Sequence, residues 1–250
     1  MGEMPALRYD LHRDIEDTHW WFLARRMIIM DILSLYLPPD KGHTVVEVGC
    51  GTGGNLSRLK EHYRAIGTEV SARAADLARA HTGCPVFLGD GLDGLKEMTE
   101  EIDGVLLLDL LEHLHNPLAF LKKIHGSLPQ EAILIVTVPA GQWSFSEHDL
   151  AFGHLRRYSQ DLLQRELQQA GFAVDYLSHF NTVLYPPAML IRLIRKIFLP
   201  LRKGTQYKTD FWIPPPPFNK VFTSIMASER FLMRKCSLPW GMSLIAVVRK

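Results

Sequence analysis

From residue 43 onward the chain alternates short apolar runs with amphipathic ones, and this rhythm restricts the fold more than any other feature. The runs "HTVVEVG", "RAIGTEV", "PVFLG", "DGVLLLDLL", "AILIVTVP" and "GFAVDYLSHF" read as strands. Between them, "GGNLSRLKEHY", "SARAADLARAH", "GLDGLKEM", "NPLAFLKKIHGSL" and the stretch at 159–170 read as helices. Ser71 and Pro117 stand at helix starts, which suit a capping hydroxyl and a residue without an N–H. Strand and helix in strict alternation predict a parallel sheet with helices on both faces.

Both flanks depart from the rhythm. Residues 17–36 carry apolar side chains at helical spacing and stop at Pro38-Pro39. After residue 180 come a basic amphipathic stretch, "NTVLYPPAMLIRLIRKIFLPLRKG", an extended "WIPPPPF", a helical "NKVFTSIMASERFLMRK" and a closing strand, "GMSLIAVVRK". The expected division is a helical cap (1–40), an α/β core (41–180 with 241–250) and a basic insert (181–240). Charge follows this division: residues 1–180 hold 16 Lys and Arg against 25 Asp and Glu, whereas 181–250 hold 12 against two. Either the last quarter meets an anionic partner or it packs on the acidic body. A basic amphipathic stretch at 185–203 suits contact with an anionic membrane surface; a lid or a homodimer contact competes with that reading. Three scattered Cys exclude a disulfide framework and a C-x-x-C zinc site. No apolar leader and no uncharged spanning run is visible, so a cytoplasmic protein is expected.

"VVEVGCGTGGNL" (45–56) is a strand, a glycine turn and a helix start. Its glycines let the backbone approach a ligand, with free amides at the helix N-terminus. Gly49-x-Gly51-x-x-Gly54 also satisfies a dinucleotide fingerprint, with Glu69 placed to hold ribose hydroxyls. Three features separate the possibilities. Glu47 beside the turn repels a pyrophosphate and attracts a cationic amino-acid group. Asp90, in "GDGL", suits an adenine amino group. Asp109, Glu112 and His113, in "LDLLEHLHNP", crowd the carboxyl edge of the sheet, where open α/β folds bind ligands.

In that order, "VVEVGCGTGGNL", "GTEVS", "GDGL" and "LLEHLHNP" resemble the class I S-adenosylmethionine-dependent methyltransferases over residues 43–139, and "GMSLIAVVRK" resembles their antiparallel last strand. The resemblance implies a Rossmann-like, seven-stranded, mostly parallel sheet and S-adenosylmethionine as cofactor. It places Glu47, Gly49, Gly51 and Gly53 around the methionine moiety, Glu69 on the ribose, Asp90 with Gly91 and Leu92 at the adenine, and Asp109 near the amino group. "HWWFLARR" (19–26) resembles the cofactor cap of methyltransferases from glycan and lipid biosynthesis, in which Arg25 or Arg26 meets the methionine carboxylate. The alternatives are a NAD-dependent oxidoreductase on the same glycine turn and a cofactor-binding module without catalysis.

Methyl transfer is an in-line displacement that demands alignment, dryness and often a base. The loops after the fourth and fifth strands flank the methyl group in this fold. They supply His113, His148 and His154 as candidate bases, with unperturbed pKa values near ~6.5. His148, between Glu147 and Asp149, is preferred, and His113 comes second. Arg156, Arg157 and Tyr158 offer donors to an anionic acceptor. Glu147, His148, Asp149 and His154 lack the acidic pattern of catechol-type enzymes, so no metal is expected. "DLLE" replaces the Asn/Asp-Pro-Pro-aromatic signature of nucleic-acid adenine methylation, so nucleic acid is not the expected partner. The expected reaction is O-methylation of a small-molecule, glycan or lipid-linked intermediate. Cys50 reads as a small packing residue.

Overall fold

The computed structural model describes residues 13, 15–91, 95, 102–187, 189–190 and 213–250, and at 147 and 148 the backbone alone. Leu92, most of the helix expected in "GLDGLKEM" and the basic stretch from 191 to 212 lie outside the described residues.

Helix α1 (Trp20–Tyr36) begins at His19, whose ring nitrogen accepts from the Trp21 amide. The α/β series follows: β1 (Thr44–Val48), α2 (Leu56–Leu59), β2 (Arg64–Glu69), α3 (Ala72–Thr82), β3 (Val86–Leu88) and β4 (Gly104–Leu108). Then come α4 (Pro117–Ser127), β5 (Ile133–Pro139), α5 (Glu147–Phe152), α6 (Gln160–Gln169), β6 (Ala173–Phe180), α7 (Pro216–Met233) and β7 (Ser243–Arg249). The seven strands form one sheet in the order β3-β2-β1-β4-β5-β7-β6. All neighbours are parallel except those of β7, which runs antiparallel to β5 and β6. The order reverses between β1 and β4, and that switch point opens a crevice at their carboxyl ends.

The period of two along each strand divides the core between the two faces. Val46, Val48, Val105, Leu107, Leu134 and Val136 face α4 and α6, through Leu121, Ile124, Leu163 and Leu167. Val45, Leu106, Ile133 and Ile135 face the other side, where Ile28, Ile29, Ile32 and Leu33 of α1 pack with Ala75, Ala78 and Met226. Glu47 and Thr137 alternate onto this second face, which explains why α1 reaches them.

Three expectations changed in detail. The helix after the glycine turn is a single turn, Leu56–Leu59, since the chain bends again before β2. Pro216 and Pro217 enter the first turn of α7, where proline costs no hydrogen bond, instead of prolonging an extended piece. The stretch after β5 holds a short helix, α5, where a loop was expected: Asp149 reaches back to the Ser146 amide at 2.8 Å and closes a capping box.

The end of the insert docks on the cap. Asn219 of α7 accepts from the Trp20 amide at 2.9 Å and donates to the Thr18 carbonyl at 2.7 Å. Trp20 meets Phe222 edge to face, so Trp20 anchors packing, as does Phe22, which is buried. Among the described residues no helix is long and apolar enough to cross a membrane.

Candidate active site

The crevice is lined on one side by the glycine turn. Gly49, Gly51 and Gly53 take φ of 75°, 55° and 91°, in the left-handed region that side chains disfavour. A Cβ on Gly53 would strike Thr82 and Ala78, whereas one on Gly51 would meet open space. The turn is held by Glu69, whose two oxygens accept from the Gly51 amide at 2.9 Å and the Ser71 amide at 3.0 Å. A Cβ on Gly91 would clash with Val48 and Thr68, so the chain after β3 lies directly against the ends of β1 and β2. Asp90 is exposed beside it.

Glu47 is almost fully buried at the root of this turn. One oxygen accepts from Asn55 at 2.7 Å; the other has no hydrogen-bond partner among the described residues. Burial pushes its pKa up to about 7. A buried carboxylate left half-satisfied beside an open glycine cradle fits a ligand that brings a cation, as the amino-acid end of S-adenosylmethionine does.

The cap reaches this crevice through two arginines. Arg25, buried, lies 2.9 Å from Asp109 Oδ2 and donates to Thr137 Oγ1 at 3.0 Å. Asp109 takes a left-handed φ of 54°, a strained conformation for a non-glycine residue. Arg25 and Asp109, expected at the carboxylate and amino ends of one ligand moiety, therefore pair with each other. Arg26 bonds Asp17 and the Glu16 carbonyl, and Glu16 accepts from Thr52 of the glycine turn at 2.7 Å. The cap thus sits on the turn through Glu16 and Thr52, which the sequence reading missed. So did Thr137, although a lone hydroxyl in "ILIVTVP" is a visible signal. Cys50 is buried and its thiol pKa is pushed up, as a packing residue requires.

The opposite wall forms where the turn after β4 meets the segment after β5. Glu112 and His113 lie in a 3-10 turn (Leu111–His113). His154 follows α5, and the Leu155 amide donates to the Glu112 carbonyl at 2.9 Å, tying the two segments together. The His113 and His154 rings meet edge to face with centroids 4.8 Å apart. Glu112 is fully buried, and neither of its oxygens accepts a hydrogen bond from another described residue. Burial and the nearby Asp109 raise its pKa well above the carboxylate range. Burial, then the neighbouring His154, lower that of His113 to about 4. Behind this wall Asp149 accepts from His154 Nδ1 at 3.0 Å and Arg157 Nε at 2.8 Å, and these bonds hold its pKa below the ordinary range.

Two expectations for the acceptor wall meet a different geometry. Tyr158 is fully buried in the core, because its segment runs beside the end of β5: the Tyr158 amide donates to the Pro139 carbonyl, and Gly141 donates back. Its phenol therefore does not face an acceptor. Arg157 is spent on Asp149, Ser144 and the Ala140 carbonyl, and Arg156 on the carbonyls of Leu114 and His115. The His148 side chain lies outside the described residues.

Residues 19–177 match the family described as a methyltransferase domain. N-methyltransferase 4 of Papaver somniferum, a curated relative, is 26% identical over 116 residues, which make up 43% of this chain and 33% of that protein. The chain thus spans about a third of that relative's length. A SAM-dependent methyltransferase from Archaeoglobus fulgidus superposes with a TM-score of 0.55 at 16% identity, over 90% of this chain and 94% of the other. Phosphoethanolamine N-methyltransferase 2 of Haemonchus contortus, solved with S-adenosyl-L-methionine, superposes with a TM-score of 0.57 at 15% identity, over 88% and 51%. At those identities the likeness shows the fold. With a family match over well above half its length, the chain belongs to the S-adenosylmethionine-dependent methyltransferases.

Proposed function

We propose that this enzyme methylates a hydroxyl oxygen of a small-molecule, glycan or lipid-linked biosynthetic intermediate. The observation that supports oxygen is the Glu112–His113–His154 cluster, in which Glu112 is buried and the two imidazoles are partly exposed. A hydroxyl must shed its proton as the methyl arrives, whereas a neutral amine attacks with a free lone pair and loses its proton afterwards. A wall of titratable groups answers the first demand. When bound, the cofactor supplies a methyl carbon made electrophilic by its sulfonium.

Glu47 and the glycine turn would hold the cofactor's amino-acid end, Glu69 the ribose, and Asp90 with Gly91 the adenine. α1 excludes water from that side by burying Arg25 against Asp109 and Thr137. On the acceptor side Asp149 fixes the His154 ring through Nδ1, leaving Nε2 directed at Glu112, 4.0 Å away. The acceptor's hydroxyl would be ionised at this cluster. The basic stretch at 185–203 would bring the enzyme to anionic lipid, a reading supported by the charge split and by Phe218, Val221, Phe231 and Leu232, which α7 leaves exposed. Flotation with anionic liposomes at low salt tests it, and protein that stays unbound overturns it.

N-methylation is the second reading, favoured by the name of the curated relative. Transfer of a labelled methyl group into extracts and into libraries of hydroxylated and amine acceptors separates the two. A labelled methyl ether is the expected product; label confined to N-methyl amines overturns oxygen as the acceptor atom.

A further inference from the structure

We propose that Glu112, His113 and His154 form a binding site for a divalent first-row transition cation such as Mn2+, Co2+ or Zn2+, beyond the carboxyl end of β4. One ligand atom from each of the three residues lies within 4.8 Å of the others. His154 Nε2 and Glu112 Oε1 are 4.0 Å apart, a separation that two ligands at about 2.1 Å from a common ion can span. Two imidazoles and one carboxylate on one side of an ion leave its other positions open, the arrangement of a cation site that also takes substrate.

Two independent observations point to a ligand. The first is Glu112 itself, fully buried and with neither oxygen bonded to another described residue. An unsatisfied buried carboxyl costs stability, and a cation between it and the imidazoles would satisfy it. The second is the support behind His154. His154 is held through Nδ1 by Asp149, which is anchored in turn by Arg157 and the Ser146 amide. The His154 ring thus has Nδ1 tied to a carboxylate oxygen and Nε2 turned toward Glu112, as a metal-binding histidine has when an outer group fixes the tautomer. Asp109 lies close enough to Glu112 to act on it electrostatically and adds negative charge near the site.

The proposal rests on the methyl-transfer reading and specifies how the acceptor wall would activate oxygen. With an ion in place His113 and His154 serve as ligands, and the ion favours ionisation of a hydroxyl at its open side, the proton passing to solvent. An anionic oxygen would then face the methyl group without a free imidazole base.

The test uses the full chain stripped with a chelator that is then removed. Co2+ is followed by its visible absorption, Mn2+ by loss of the free-ion magnetic resonance signal, and S-adenosylhomocysteine binding by calorimetry in parallel. One ion per chain is expected, with Glu112→Gln and His154→Ala each weakening it at least tenfold while S-adenosylhomocysteine affinity is retained. Asp149→Asn, behind the site, should weaken it about 10–100-fold. If Glu112→Gln fails to fold, His113→Ala at a partly exposed position gives the same readout. Absence of a stoichiometric ion, or an ion bound equally by these variants, overturns the proposal. Cation binding without S-adenosylhomocysteine binding would leave the cation site standing and remove the cofactor reading; the converse result removes the cation site alone.

Discussion

Glu47 at the glycine turn and Asp149 behind His154 are both hidden from solvent, yet their surroundings treat them in opposite ways. Asp149 accepts from the Ser146 amide and hydroxyl, from His154 and from Arg157, so it stays ionised in the interior. Glu47 receives Asn55 on one oxygen and nothing from the described residues on the other, and burial raises its pKa to about 7. A carboxylate completed by the protein is scaffold. One left incomplete at a crevice is waiting for something from outside, and Glu112 belongs with Glu47 in that respect.

The largest effect should come from breaking the completed carboxylate. Arg157→Ala removes the guanidinium that faces Asp149 and leaves a buried charge uncompensated, at a cost of about 3–5 kcal/mol. Denaturant unfolding of the two proteins reads this as a lower midpoint; a loss under about 1 kcal/mol would show that Asp149 relaxes to solvent and is no scaffold.

Next in size is the pH response of the incomplete one. Its folded pKa, about 7, lies above the ordinary value of 4.5, so the folded protein holds a proton that the unfolded chain releases. That contribution is fully present below pH 4.5 and is lost as pH rises through 7. The cofactor-free protein should therefore lose up to about 3 kcal/mol relative to Glu47→Gln between pH 5 and pH 8. S-adenosylhomocysteine, whose ammonium prefers the ionised carboxylate, should bind the wild type more tightly at pH 8 than at pH 6. The Gln variant should show a flatter profile. Parallel profiles for both proteins would move Glu47 into the same class as Asp149.

Glu69 lies between the two extremes, being satisfied by backbone amides yet placed at the cofactor crevice. Glu69→Ala should weaken S-adenosylhomocysteine binding about 10–100-fold, since it removes two charge-assisted bonds that shape the turn and the contact proposed with the ribose. Unchanged affinity in calorimetry would make it a turn clamp only.

The contrast also marks what the sequence could disclose. Everything about the cofactor side is local in sequence. Positive φ at Gly49, Gly51 and Gly53 is written as glycine, and Glu47 and Glu69 stand at or next to the ends of adjacent strands, so the fold class was legible from residues 43–139. The wall proposed for the acceptor depends on a meeting across some forty residues, Glu112 and His113 with His154, which no periodicity announces. Tyr158 was misplaced for a related reason: its bridge to Ala140 extends the strand pattern and turns the phenol into the core. The spacing Ser146-x-x-Asp149 was a readable sign of α5, and of Asp149 as a structural acid.

That spacing gives the smallest effect. Asp149 Oδ2 takes the Ser146 amide at 2.8 Å and its hydroxyl at 3.2 Å, so Ser146→Ala removes the weaker of two bonds to one oxygen and leaves His154 and Arg157 on the other. The loss should be about 0.5–1 kcal/mol, within the range for an N-cap hydroxyl. Because Asp149 would keep three of its four donors, it should remain ionised, and any cation held by His154 should bind nearly as before. If Ser146→Ala instead matched Arg157→Ala in unfolding, α5 itself would be the fragile element. Asp149 would then owe its charge to the helix that carries it, and the distinction between completed and incomplete carboxylates would reduce to whether α5 is folded.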